Sequence, residues 1–351
     1  MKIAVKYSGL RIDADGTVGA HDAGTVLVRR MLRLFHGAEL IGPASHRYEG
    51  FDLLPLEFVD ADNTLVINMD VIDSGAVYRE LEQHTKNPKI MNFVWWNTTS
   101  ITSDVDQAFL ALSFALFPTF ANSERTANEI QAYVKRLTPQ HLAERAKLAW
   151  VNLGIRLEYV QPREEPSTPV VLYPAIYLSE RKHPEVFVDV VSRVAKTTPI
   201  RVEMRLAEKD LVSPQAMALA RQRWAWVGPM TPTRSEYWKQ LAHTTAFLAT
   251  SEQESYGLEY VEAMISGAIG ILPNHGWARA LVPPDYPFLY DTPAEAEQLL
   301  VHAVTETEAC RAELDKVAGG SFLQWMEDRH SDDAFDKAIV QQVRKWFGSA
   351  N

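Results

Sequence analysis

The sequence predicts an α/β fold built from two βαβ domains, and three observations carry that expectation. Short β-type runs alternate with helical patterns along almost the whole chain, as expected for parallel sheets covered by helices on both faces. The alternation pauses once, at LEYVQPREEPSTPVV (157–171), whose three prolines and three glutamates read as a linker. The length, 351 residues, suits about two domains of roughly 150–200 residues, each able to bury a core of its own.

In the first half, expected to form a domain over residues 1–160, MKIAVKY (1–7), TLVINM (64–69), KIMNFVWW (89–96) and FPTFAN (117–122) read as strands. GTVLVRRMLRLF (24–35), SGAVYRELEQH (74–84) and SERTANEIQAYV (123–134) read as the helices between them. In the second half, expected over 169–325, the order is VVLYPAIY, HPEVFVDVVSRVAK, IRVEMRL, WAWVG, SEYWKQLAH and AFLATS. A helix from Gly257 to Ser266, the strand AIGILP and a long helical stretch after Pro293 follow, and the chain closes with DDAFDKAIVQQVRKWFG (332–348). Open parallel sheets bind ligands beyond the carboxyl ends of their strands. Two such sheets make an interdomain cleft the expected place for a site.

Bulk properties narrow the classes of partner. The formal charge is −10, which argues against indiscriminate contact with nucleic acid or anionic membrane. The one cysteine, Cys310, excludes an intrachain disulfide and fits a reducing compartment. The first residues carry Lys2, Lys6 and Arg11 without an apolar stretch of signal length. The longest apolar run, FLALSFALFPTFA (109–121), is broken by Pro118 and is far short of the ~20 residues that span a bilayer. The expectation is a soluble, cytoplasmic protein with no stable membrane insertion.

The most informative segment is SEQESYGLEYVEAMISG (251–267). It reads as a strand end, a loop and a helix closed by Gly267 as C-terminal cap. On a helical wheel Leu258, Val261 and Ile265 form one stripe, and Glu262 falls on the same side while Glu259 lies nearer solvent. A buried carboxylate costs several kcal/mol unless it is hydrogen-bonded or paired. Glu262 therefore either accepts hydrogen bonds from ligand hydroxyls or pairs with an arginine or lysine. Glu254 lies on the loop, Gly257 allows close backbone approach, and the helix N-terminus behind it suits phosphate. Carboxylates beside an anion cradle are the combination that a sugar joined to a diphosphate requires.

These residues, S-x-x-E-S-Y-G-L-x-x-x-E-A-M-x-x-G, resemble the donor-site motif of GT-B glycosyltransferases of the family 4 kind. Further segments resemble that family in the same order. They are GTVLVRRMLRLFHGAELIG (from Gly24), WVNLGIRLEYVQP (from Trp150), ERKHPEVFVDVV (from Glu180) and LPNHGWARALV (from Leu272, with Gly276 in the glycine turn). The resemblance implies a GT-B fold of two Rossmann-like domains, with the last helix, about 331–351, packing back on the first domain. It implies a retaining, metal-independent hexosyltransferase-type enzyme. Such an enzyme uses no cofactor and takes a nucleotide-diphosphate sugar, UDP-sugar favoured, as co-substrate. By position, Glu254 contacts the transferred sugar and Glu262 the ribose. Ser255, Tyr256, Gly257 and Leu258 line the donor, the last three offering backbone N–H groups, and Lys182 neutralises the leaving diphosphate. The chain departs from the family where a Gly-Arg pair, a histidine and an acidic residue are usual. Arg181 is the expected stand-in for the arginine and Asn97 for the histidine.

Other candidates each carry two readings. GTVGAHDAG (16–24) is a glycine-rich loop that either meets donor or acceptor through Gly19, His21 or Asp22, or is a surface turn. Trp95 and Trp96 point to opposite faces of a strand, so one belongs to the core and the other is placed to stack on an acceptor. Arg29, Arg30 and Arg33 either face an anionic acceptor or form a solvated helix face. Asp-x-Asp pairs at 13/15, 60/62 and 104/106 are short enough to arise by chance, and no metal site is expected. The acceptor stays open among small molecules, glycans, proteins and a modified DNA base. A nucleotide-sugar epimerase and a glycosyltransferase-like binding protein without chemistry are the alternative functions.

Overall fold

The computed structural model describes residues 1–14, 16–19 and 23–348. The chain divides into two compact units, the first formed by Met1–Asn152 with Phe335–Asn351 and the second by Leu153–Ala334.

The first unit holds strands β1 (Lys2–Lys6), β2 (Glu39–Ile41), β3 (His46–Tyr48), β4 (Phe51–Leu54), β5 (Thr64–Asn68), β6 (Lys89–Val94), β7 (Thr119–Ala121) and β8 (Leu148–Trp150). Its helices are α1 (Ala23–Leu34), α2 (Ser74–Glu82), α3 (Asp104–Leu116), α4 (Glu124–Leu137) and α5 (Gln140–Ala143). The sheet order is β3-β4-β2-β1-β5-β6-β7-β8, parallel apart from the antiparallel β3–β4 pair. The central strands are covered on both faces, so β5 is buried at every position and reads as a continuous apolar run instead of alternating.

Three elements depart from the sequence expectation. The run from Phe109 is the second half of α3, capped by the Ser103 hydroxyl, which accepts from the Asp106 N–H at 3.3 Å. Apolar residues on both faces hide its helical period. The β3–β4 hairpin and edge strand β8 are short pieces with weak signals, whose pairing is set by neighbouring strands. The arginines of α1 are also committed within the unit. Arg29 donates to the Val18 carbonyl at 2.8 Å, while Arg30 and Arg33 both reach Asp336.

A buried polar network links β5, β6 and β7 to α2 and α3. The Asn68 side-chain amide donates to Asp73 and to the Ser74 hydroxyl, which donates to Asn92 at 2.6 Å; Asn92 in turn reaches Ser113 and Thr119. Lys6 bridges Asp70 and Asp73. Burial works against its charge, but the two carboxylates outweigh that and raise its pKa.

The second unit holds β9 (Val170–Tyr173), β10 (Arg201–Leu206), β11 (Ala225–Pro229), β12 (Ala246–Leu248), β13 (Ile269–Pro273) and β14 (Leu289–Tyr290). Its helices are α6 (Pro184–Val194), α7 (Pro214–Ala220), α8 (Arg234–His243), α9 (Leu258–Ile265), α10 (Gly276–Arg279), α11 (Pro293–Thr305), α12 (Thr307–Ala318) and α13 (Phe322–His330). The order β11-β10-β9-β12-β13-β14 is parallel throughout. The unit begins at Leu153, ahead of the proline-rich stretch, because the residues leading into that stretch and Arg163 within it are packed and hydrogen-bonded. Ile155 exchanges backbone bonds with His330 and Asp332. The carbonyl of Ser331 lies so near Gly154 that a Cβ there would sit 2.2 Å from it. The Arg163 guanidinium donates to the Thr244 carbonyl.

The last helix, α14 (Asp332–Phe347), carries Phe335, Ile339 and Val343 on its buried stripe. Phe335 meets Phe93 and Phe120 edge-on, at 6.1 and 6.4 Å between ring centroids. The Arg30 guanidinium lies 4.0 Å above its ring and pairs with Asp336 at 2.7 Å. Phe335→Ala removes a fully buried ring and should destabilise the first unit by about 3–5 kcal/mol, read as an earlier urea transition of that unit. An unchanged midpoint would mean that α14 contributes little to its stability.

Candidate functional site

Three adjacent strands, β9, β12 and β13, run in the same direction. The segments after their carboxyl ends therefore emerge on one side of the second sheet. After β9 come Arg181 and Lys182, after β12 the loop with Glu254 to Gly257, and after β13 Gly276 at the start of α10.

Lys182 ends a short 3₁₀ turn, Glu180–Lys182, whose backbone is fastened to the loop after β12. The Glu252 N–H donates to the Arg181 carbonyl at 2.9 Å and the Thr250 hydroxyl to the Lys182 carbonyl at 2.5 Å. His183 follows in the left-handed region at φ 44°, a conformation costly for most side chains. Pro184 then opens α6. The kink separates the direction of Lys182 from that of the helix. Its ammonium donates to Glu254, to Glu259 at 2.8 Å and to the Tyr260 hydroxyl at 3.3 Å. Tyr260 donates in turn to Glu254 at 2.7 Å. Burial disfavours the ammonium, but the Glu259 and Glu254 carboxylates overcome this and raise its pKa, so Lys182 is a cation at neutral pH. Burial, with Glu259 and Glu254 nearby, holds the Tyr260 phenol well above its ordinary value and therefore neutral.

Gly257 is the N-cap of α9 at φ 91°. A Cβ there would lie 2.6 Å from Cδ2 of Tyr260, so only glycine both turns the chain and leaves Tyr260 in place beside Lys182. Leu258 is the first helical residue, and the leading N–H groups of α9 have no acceptor within the helix. Gly267 closes α9 at φ 86°.

Glu262 is 6% exposed on the buried side of α9, and its partners in the structure are an arginine and a tyrosine. Its carboxylate accepts from Arg234 at 2.5 Å and from the Tyr237 hydroxyl at 2.6 Å, both on α8. Arg234 is itself about half exposed and sits over the rings of Tyr159, Tyr237 and Trp238. Burial raises the Glu262 pKa, while Arg234 and Tyr237 pull it back.

Tyr256 turns its ring inward and is 4% exposed. Its hydroxyl meets Nδ1 of His330, whose Nε2 lies 3.1 Å from the Leu281 carbonyl. The carbonyl can only accept, so Nε2 carries the hydrogen and Nδ1 accepts a hydrogen bond from the phenol. Burial lowers the His330 pKa to about 4, with Arg329 adding to the fall and the Leu281 carbonyl opposing it. The loop is thus anchored to α13 by a neutral histidine.

Arg181 is exposed, Ser255 half-buried and Gly276 exposed. In the first unit, Trp95 is half-buried at the end of β6 with Tyr7 edge-on at 5.9 Å, while Trp96 packs on the cluster around Val94 and Phe114. Asn97 caps the turn Thr98–Ser100, its side-chain oxygen accepting from the Thr99 N–H at 3.1 Å and hydroxyl at 2.6 Å. Gly19 abuts the Asp13 carboxylate. His21, Asp22 and Asp15 lie outside the described residues. Asp60 and Asp62 accept from Asn63 and Thr85, and Asp104 and Asp106 occupy the first turn of α3. Among the described residues no group of three or more His, Cys, Asp or Glu is arranged to hold a metal, and no helix is long and apolar enough to cross a membrane.

The sequence reading did not single out Tyr260, Tyr237, Arg234 or His330, and it placed Glu259 toward solvent. The one signal within reach was Tyr260, a single turn into a helix that begins at the glycine.

No protein-family model matches the chain, and no curated protein sequence matches it. Solved structures do. Sucrose-phosphate synthase from Thermosynechococcus elongatus superposes with a TM-score of 0.68 at 14% identity, over 99% of each chain. A glycosyltransferase from Rickettsia africae gives 0.71 at 12% identity over 98% of each. HepE of Anabaena, in complex with UDP and glucose, gives 0.63 at 13% identity over 98% of this chain and all of that one. The chain has the GT-B fold. In GT-B terms the second unit is the Rossmann-like domain whose strand ends carry Lys182, Glu254 and Gly276.

Two outcomes test this geometry. Gly257→Ala forces a side chain into the left-handed region against Tyr260 and should cost about 1–3 kcal/mol in urea unfolding of the second unit; a neutral effect would contradict the close approach. His330 titrates near its ordinary value once unfolded but at about 4 when folded. The unfolded chain therefore binds the extra proton between those values, and stability falls as pH drops through that window. Between pH 7.5 and 5 the loss should be about 2 kcal/mol, and it should largely vanish in His330→Gln.

Proposed function

We propose that the chain is a glycosyltransferase that moves a sugar from a nucleoside diphosphate, UDP being favoured, to a hydroxyl acceptor. The observation that carries this reading is the convergence of Lys182, Glu254 and the glycine-opened N-terminus of α9 at one end of a parallel sheet. Two GT-B structures with similar folds are a sucrose-phosphate synthase and a protein holding UDP and glucose, which agrees with it. Retention of configuration is carried by the family 4 resemblance of the 251–267 motif.

The chemistry asks for stabilisation of a departing diphosphate and of positive charge developing on the sugar. Lys182 and the leading N–H groups of α9 supply fixed positive charge to the diphosphate without reorganisation, which is the service a metal ion performs elsewhere. Lys182 is held by Glu254 and Glu259. A diphosphate that takes the ammonium releases Glu254 to accept hydrogen bonds from sugar hydroxyls, so donor binding itself sets the sugar-facing carboxylate. Glu262 accepts from the ribose, Ser255 and Arg181 flank the phosphates, and Gly276 leaves room for the sugar. The acceptor is assigned to the strand ends of the first unit, around Gly19, Trp95 and Asn97. The use of Asn97 as a cap is the observation that favours the alternative of a donor-binding protein without transfer.

A panel of nucleotide sugars, read first by thermal shift and then by calorimetry, should single out one donor. Lys182→Ala should weaken that donor by about 10–100-fold, the worth of a charge-assisted contact to phosphate. Glu254→Gln should leave binding within a few-fold and lower transfer or donor hydrolysis at least about 100-fold. Full turnover in both variants would overturn the assignment. Binding without transfer or hydrolysis in the unaltered protein would favour the binding-only alternative.

A further inference from the structure

We propose that the cleft at the ends of β1, β2 and β4 is the acceptor pocket, and that the acceptor is an uncharged, largely apolar alcohol or phenol. The proposal rests on the glycosyltransferase reading above for the transfer step, and on the first unit alone for the pocket. β1 runs on into Tyr7 and Ser8, and its parallel neighbour β2 ends at Ile41, in register with Lys6. β4 lies parallel to β2 on its other side and ends at Leu54. A cavity of about 310 Å³ opens where these ends meet, with Tyr7, Tyr48, Leu10, Ile12, Ile41 and Leu53 in its lining. Carboxyl ends of parallel strands are where such sheets take ligands. The volume is at the lower end for small-molecule sites. It equals that of about ten waters, enough for one ring with a short substituent.

The walls are held in place. The Tyr48 ring packs on His46 and Phe51, at 4.2 and 5.1 Å between centroids, and Tyr7 meets Trp95 edge-on. Ile12 is bridged to Val18. A Cβ at Gly42 would lie 2.6 Å from Cδ1 of Leu53, and one at Gly9 would lie 2.6 Å from the Tyr7 ring. A side chain at either glycine would therefore push a lining residue out of position.

The lining decides the chemistry of the occupant. Among the described residues, none of the side chains around the cavity is charged. The strand-end cation Lys6 is held by Asp70 at 2.8 Å and Asp73 at 2.7 Å. Arg47, beside Tyr48, pairs with Asp52 at 3.0 Å, and the exposed Arg11 is outside the lining. A phosphate or carboxylate entering here would lose water without gaining a cation. A sugar fits little better. Only Tyr7, Ser8 and Tyr48 bring side-chain hydroxyls to the cavity, and Ser8 already gives its N–H and hydroxyl to Asp70 at 2.8 and 2.7 Å. A hexose carries about five hydroxyls, and each one buried without a partner costs about 10–100-fold in binding. An apolar body gains instead from Leu10, Ile12, Ile41 and Leu53. Its hydroxyl is then left at the rim, where Ser8 and Pro43 are exposed. In transfer, that hydroxyl oxygen bonds to the anomeric carbon of the donor sugar. The bond from this carbon to the diphosphate breaks, its electron pair stays on the phosphate oxygen, and the hydroxyl proton passes to the diphosphate.

Three probes separate the classes: 4-ethylphenol, phenyl phosphate and glucose, titrated into the whole chain by calorimetry. 4-Ethylphenol should bind with Kd of about 0.1–10 mM, and the other two at least about 10-fold more weakly. Leu53→Trp, which fills the cavity, should weaken 4-ethylphenol at least about 10-fold with an unchanged circular dichroism spectrum. Tyr48→Ala, which removes a wall instead, should act in the same direction. With the donor found by the nucleotide-sugar panel, the unaltered protein should form the 4-ethylphenyl glycoside, and Leu53→Trp at least about 10-fold less of it. Tighter binding of phenyl phosphate or glucose, or 4-ethylphenol binding indifferent to both substitutions, would overturn the pocket assignment. Binding without glycoside in a protein that hydrolyses its donor would overturn the acceptor role. A protein that takes no donor at all defeats the transfer reading instead, and the binding series still decides what the cleft holds.

Discussion

One ammonium group organises the second unit. Lys182 is largely buried, and a buried cation without partners would cost several kcal/mol. The chain meets that requirement with Glu254, Glu259 and the Tyr260 hydroxyl. Those groups come from a loop and a helix that start far along the sequence from the lysine. Holding them there fixes how the loop leaves β12, why α9 must begin on a left-handed glycine, and why the backbone turns sharply at His183. The cation thus sits among two carboxylates and a phenol brought to it from another part of the chain.

The rest of the site is built to keep that cation geometry still. The Tyr256–His330–Leu281 chain anchors the loop to α13 from below, through a histidine kept neutral by burial. The Thr250 hydroxyl and the Glu252 N–H fasten the Lys182 turn from the side. On α8, Arg234 and Tyr237 hold both oxygens of Glu262. The second carboxylate of the motif is therefore satisfied from within the chain.

The alternation of strands and helices was legible because buried parallel strands leave long apolar runs and their connecting helices keep a 3.6-residue rhythm. Where that contrast fails, reading fails with it. In α3 both faces are apolar, one for the core and one exposed, so no period survives. In 157–171 prolines suggested a linker, yet Arg163 within it, like Gly154 and Ile155 just ahead of it, is tied into the second unit. The arginines of α1 looked like a basic surface, but their partners, Asp336 and the Val18 carbonyl, are distant or invisible in sequence.

By itself the sequence determined the fold class, the strand–loop–helix setting of residues 251–267, and the presence there of two carboxylates and a glycine. These are local or periodic properties, set by side-chain type and short spacing. Only the tertiary structure decided which groups meet. It brought the partly exposed Glu259 onto Lys182, gave Glu262 an arginine and a tyrosine, put His330 behind Tyr256 and committed Asn97 to a cap. A carboxylate's role depends on the few ångströms around it, and in a parallel sheet those ångströms are filled from strand ends scores of residues apart.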